Sequence, residues 1–134
     1  MDNYQPFINV LTDNIKSQAE YFLTDAQEFY PFGASINYRN EVIPVSVYFG
    51  EDHPDSNDVI AQLAPTLNEG LQKGKYKMAA LGLDVYNTDA NGVKSAALEI
   101  RIMHMEGQLA TFHIPYYIDK TDKVIFKEMI TVKG

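Results

Sequence analysis

Three features of this sequence predict an α+β fold. An apolar stripe at helical spacing runs through residues 4–29. A second such stripe occupies residues 56–73, and the remaining segments read as strands closed by turn residues. Strand–helix alternation of the doubly wound kind is missing, as are internal repeats and low-complexity tracts. The expectation is one domain over residues 1–134, ordered α-β-β-α-β-β-β-β. Its antiparallel sheet has five to six strands, with both helices packed on one face and the other face partly wet.

The first helix rests on Tyr4, Ile8, Leu11, Ile15, Ala19, Phe22, Ala26 and Phe29, spaced by three or four residues. Phe7 and Leu23 widen that stripe. Pro6 suits a first helical turn, where its missing N–H leaves no bond unmade. Pro31 keeps Tyr30 out of the helical region, which ends the helix near Phe29. The helix either crosses the domain whole or breaks near Thr12 and Asp13, where Thr12 can cap a second piece.

A hairpin follows, with strands at 32–38 and 41–49 and a two-residue turn at Arg39-Asn40. Pairing Tyr38 with Glu41 places Ala34, Ile36, Ile43, Val45 and Val47 on one face and Ser35, Asn37, Pro44 and Ser46 on the other. Pro44 cannot donate to a ladder, so its strand belongs at an edge or a bulge. Residues 50–58 form a loop. The second helix spans about 56–73, capped by Asp55 or Ser56, with Val59, Ile60, Leu63, Leu67 and Leu71 inward. Pro65 is expected to kink it, and Gly74 stops it.

The rest reads as a meander with strands at 76–86, 93–105, 109–117 and 123–132. A three-residue turn at 106–108 pairs Met105 with Leu109. Leu98, Ile100 and Ile102 then share a face with Ala110, Phe112, Ile114 and Tyr116. Glu99, Arg101, Thr111 and His113 share the other, and a slip of one residue would bury charge.

Composition narrows the function. The chain has 134 residues, no cysteine, 11 basic and 18 acidic side chains, and a formal charge of −7. Disulfides, thiolate metal sites and a cysteine nucleophile are thereby excluded. Acidity repels phosphate backbones, so nucleic acid is not an expected partner. Neither a secretory leader nor an apolar run of roughly 18–20 residues is present, so a cytoplasmic protein with no membrane partner is expected. No metal cluster, phosphate loop or nucleophile motif stands out, and no cofactor is expected.

The candidate residues are each set against a bland alternative. Asp52, His53 and Asp55 could hold a hard cation, but their spacing matches no calcium-loop signature, and acids before a helix serve as caps. Glu99, Arg101 and His113 could support ligand or acid–base chemistry, although any amphipathic strand shows period-two polarity. Asp84, amid apolar neighbours, needs a partner, for which Arg101 is the candidate. Gly82 on the same face could leave a dent in the sheet. Phe29, Tyr30 and Phe32 could line a pocket with Tyr116 and Tyr117, or close the core where helix meets sheet.

The run Glu28-Phe29-Tyr30-Pro31-Phe32-Gly33-Ala34, with His53-Pro54, Ser56, Gly70, Gly74 and the strand at 79–85, resembles a group of small uncharacterised bacterial proteins. The likeness covers about residues 20–117, implies a bacterial origin and carries no activity. The element order resembles roadblock and other profilin-like modules, which implies a scaffolding or regulatory role by topology alone. The expected function is a non-catalytic protein-binding or regulatory domain, self-associating or bound to a protein partner. A toxin-neutralising immunity protein is one concrete form. The alternative is a small-ligand binder or enzyme using the sheet face around Asp84, Arg101 and His113.

Overall fold

The computed structural model describes residues 4–47, 54–88 and 90–132. Helix α1 spans Gln5–Ala26 and α2 spans Ser56–Gln72. The strands are β1 (Phe32–Ile36), β2 (Val42–Val45), β3 (Met78–Thr88), β4 (Lys94–His104), β5 (Gly107–Ile118), β6 (Val124–Phe126) and β7 (Ile130–Val132). They form one antiparallel sheet in the order β2-β1-β3-β4-β5-β6, with β7 also on β5. The class is α+β, with seven strands because the expected sixth is divided into β6 and β7.

α1 is continuous through Thr12, which is buried within it and caps nothing. Its 22 residues extend about 33 Å. It stops at Ala26, ahead of the expected Phe29, because Gln27 turns left-handed at φ 60° and returns its N–H to the Leu23 carbonyl. α2 begins where the Asp55 carboxylate accepts the N–H groups of Asn57 and Asp58, at 2.9 and 3.3 Å. It runs through Pro65 as one element. Past its end Gly74 takes φ 72°, and the Lys75 N–H reaches the Gly70 carbonyl at 2.9 Å. A Cβ at Gly74 would meet nothing within 4 Å, so only backbone strain opposes a side chain there. Gly74→Ala is expected to lower unfolding stability by about 1 kcal/mol in a urea titration, with Gly74→Asn losing less.

The two helices lie on opposite faces of the sheet and not on one. Leu11, Ile15, Ala19 and Leu23 of α1 pack with Phe32, Ala34, Ile36, Met78, Ala80, Leu98, Ile100 and Ile102. Leu63, Leu67 and Leu71 of α2 pack with Ala79 and Leu81. Neighbouring residues of a strand point to opposite sides, so Ala79 and Ala80 belong to two cores separated by the sheet. The cause is β1, whose five residues are all buried. Phe32, Ala34 and Ile36 meet α1, while Gly33 and Ser35 leave room for α2. Gly82 leaves no dent: a Cβ there would fall 2.8 Å from Phe32 Cζ and 2.9 Å from Ile15 Cγ2.

The hairpin register also differs from expectation. Ala34 faces Pro44 and Ile36 faces Val42, and the Asn37 N–H bonds the Glu41 carbonyl at 3.0 Å. Three residues therefore make the turn, with Asn40 at φ 65°. This shift puts Ile43 and Val45 on the α2 side, opposite Ala34. β2 is the sheet edge, as Pro44 requires. Tyr48 and Phe49, assigned to that strand from sequence, lie outside the described residues. Between β4 and β5, Leu98 faces Ile114 and Ile100 faces Phe112, two residues from the expected register. Such an offset preserves the faces, so the division of apolar from charged residues holds. An irregularity between Ile102 and Met103 and the left-handed Gly107 tighten the turn.

Candidate functional site

Two polar constellations and one cleft come from this framework. The first is Glu99, Arg101 and His113. Glu99 faces His113 across the β4–β5 ladder, and Arg101 is two residues along the same side. The Arg101 Nε donates to Glu99 Oε2 at 2.7 Å, and His113 Nε2 is hydrogen-bonded to Glu99 Oε1 at 2.8 Å. Glu99 and His113 are mostly buried, whereas Arg101 keeps 40% of its side chain in solvent. Burial pushes the Glu99 carboxyl upward, but the bonds from His113 and Arg101 outweigh it and hold the carboxyl below its ordinary range. A carboxylate engaged at both oxygens and held ionised is a poor proton acceptor.

The second constellation corrects the expected partner of Asp84. Arg101 pairs with Leu81, so it sits on the opposite face from Asp84, which pairs with Leu98. Asp84, Arg101 and His113 therefore do not form one patch. The partner of Asp84 is Tyr116, whose hydroxyl donates to Oδ1 at 2.6 Å. The protein around this carboxyl desolvates it and raises its pKa; the Tyr116 bond pulls it back down, and the nearby charge of Glu28 adds to the rise. The same surroundings push the Tyr116 hydroxyl up. The signal lay in the sequence: Gly82, Asp84, Leu98, Ile114 and Tyr116 share one parity once both ladders are registered.

The remaining candidates separate. Phe32 is core, edge-on to Phe22 and Phe29 at 5.2 and 5.6 Å. The Tyr30 hydroxyl donates to Glu28 Oε1 at 3.3 Å. Asp55 is the α2 cap, while Asp52 and His53 lie outside the described residues. Among the described residues no three His, Cys, Asp or Glu side chains are grouped to hold a metal ion. None of the described helices is long and apolar enough to cross a membrane.

The cleft was not anticipated. It has a volume of about 320 Å³ and is lined by Asn9, Thr12, Asp13 and Lys16 of α1, Ile114 of β5, and Lys127 and Met129 between β6 and β7. The sequence offers Thr12 only as the cap of a second helical piece and gives no sign that the last strand divides.

The chain matches no protein-family model, no curated protein and no solved structure. Its reading therefore rests on its own residues.

Proposed function

We propose that this chain is a non-catalytic protein-binding domain that seats a basic partner on the half of the sheet beyond α2. The observation that carries this reading is the exposure of Tyr117 and Ile130, at 49% and 53%, around the Glu99–Arg101–His113 cluster. Ile130 faces His113 across the β5–β7 ladder, and Tyr117 is on the same side of β5. α2 packs over β1 and β3, and no described helix lies over these β5 and β7 residues. Tyr and Arg are the side chains most enriched where interfaces concentrate their energy.

The sheet edges suit this role less well. β2 has four residues including Pro44, and the opposite edge is divided into two three-residue strands. Short, proline-bearing or interrupted edges resist adding a strand from another chain. A net charge of −7 favours encounter with a basic surface. A bacterial immunity protein that covers a toxin's active site is the concrete form of this reading.

Affinity capture from the source organism's extract at low salt, followed by titration of the captured protein, tests it. Tyr117→Asp and Ile130→Asp are each expected to weaken binding about tenfold or more. Tyr21→Asp, at a 68% exposed position of α1, is expected to leave binding unchanged. Failure to recover a stoichiometric basic partner, or equal binding by all three variants, refutes the proposal.

A further inference from the structure

The interrupted edge of the sheet decides which side chains the docking face presents. Phe126 pairs with Tyr116 and Ile130 with His113, so β5 advances three residues while the edge chain advances four. In a regular strand Lys127 and Ile130, three residues apart, would point to opposite sides. The extra residue brings both to the side of His113 and Tyr117, as bulges re-aim side chains. The Lys127 N–H fixes the arrangement by bonding the Pro115 carbonyl at 2.7 Å. Lys127 also borders the cleft, but its ammonium stands 5.8 Å from the centre of the Tyr117 ring, on the docking side.

Two cations on this face lack a full set of partners. Among the described residues Lys127 is ion-paired with no carboxylate, and Arg101 meets Glu99 alone, through Nε. Glu99 has no oxygen left for Lys127, because His113 holds the other one at 2.8 Å. The Nη groups of Arg101 bond none of the described residues, and 40% of the side chain is in solvent. That outer edge of the guanidinium is shaped to receive a carboxylate from outside.

A partner that covers Tyr117 and Ile130 covers these cations too. A standard interface takes about 800 Å² from each side, a disc of radius about 16 Å. Lys127 lies beside Tyr117, and Arg101 is two residues and two ladders from Ile130, about 12 Å. Burying a cation without a counter-charge costs more than apolar contact at one isoleucine returns. The covering surface must therefore supply carboxylates. Lys127 and Arg101 are four residues and two ladders apart, about 16 Å. One small anion does not span them, and two isolated cations are not the continuous basic track that a phosphate backbone needs. The net charge of −7 steers the approach, but salt screens it beyond about 8 Å. A partner that is basic overall can thus present carboxylates at the contact itself.

Given the docking face around Tyr117 and Ile130, we propose that the partner meets it with two carboxylates about 16 Å apart. One pairs with Lys127 and the other with the Nη edge of Arg101, while an apolar residue between them packs on Ile130.

Carbodiimide coupling tests this, because it joins a lysine amine to a carboxylate only where the two are in contact. The full chain is treated with a water-soluble carbodiimide in extract of the source organism at low salt, and the linked residues are located by mass spectrometry. Lys127 is expected to be joined to an Asp or Glu of the partner. Arg101→Lys supplies a second reactive amine and is expected to add a link from position 101 to a different carboxylate of the same protein. Lys127→Gln and Arg101→Gln are each expected to weaken the complex about tenfold. Lys127 is exposed, so its variant tests binding without disturbing the core. If Tyr117→Asp weakens a recovered partner but a link is missing at either position, or position 101 couples only to Glu99, the docking face stands and the two-carboxylate proposal is overturned. Full affinity in both glutamine variants overturns it as well. If no recovered protein depends on Tyr117 and Ile130, the docking face itself fails and this proposal falls with it.

Discussion

Phe32→Ala is expected to lower unfolding stability by about 3–5 kcal/mol. Phe32 is 3% exposed and lies where α1, β1 and the segment leading into β1 converge. Its ring meets Phe22 from α1 and Phe29 from that segment, both edge-on. It also fills the space left by Gly82: a Cβ on that glycine would lie 2.8 Å from the ring. Truncation therefore opens a cavity against a residue with no side chain to fill it, and the β3 backbone cannot collapse inward without breaking ladders on both sides. The expected loss is a large fraction of the roughly 5–15 kcal/mol that keeps a domain folded. Urea unfolding measures it, with Phe32→Leu as a control retaining most of the volume. A loss below about 1 kcal/mol would place Phe32 outside the core and return it to the candidate binding residues.

The same residue shows what was legible in the sequence. α1, α2 and the meander followed from periodicity, because a helical stripe of eight apolar residues has few other readings. Pro44 marked an edge and Gly74 a stop through chemistry local to each. The placement of α2 was hidden for a different reason. A hairpin register with one clean apolar face presumes a sheet wet on its other side. In β1 the second face is buried under α2 through Gly33 and Ser35, residues whose small size, rather than apolarity, admits the helix. A period-two pattern cannot register that kind of burial.

The candidate sites failed and succeeded by the same rule. Glu99, Arg101 and His113 were brought together because their grouping needs only the parity of β4 against β5, which a two-residue register error leaves intact. The partner of Asp84 is not legible, because nothing in the sequence sets the β3–β4 register, and parity there decides the face. The cleft is not legible because its walls, from Asn9 to Lys16 on α1 and Ile114 and Met129 by the divided edge, come together only through tertiary packing.

Two carboxylates with opposite shifts give the second large expectation. Glu99→Gln is expected to cost about 2–3 kcal/mol at neutral pH, since charge-assisted bonds contribute about 1.5–3 kcal/mol each and exposed Arg101 recovers part of its loss in water. Because the Glu99 pKa is depressed in the fold, its contribution is present above the ordinary glutamate value of about 4.3 and disappears as pH falls through the folded value. Asp84 runs the other way. Its pKa is raised in the fold, so the stability it contributes is full below the ordinary aspartate value of about 3.9 and is lost as pH rises through the folded value. Asp84→Asn keeps an oxygen that accepts from Tyr116 and removes the disfavoured charge, so stability at neutral pH is expected to hold or rise. Urea midpoints measured from pH 3 to pH 7 separate the two. Glu99→Gln should flatten the acid limb of the stability curve, and Asp84→Asn should steepen it. If both variants shift that limb in one direction, the two sites are not the independent, oppositely tuned pairs on opposite faces that their hydrogen bonds define.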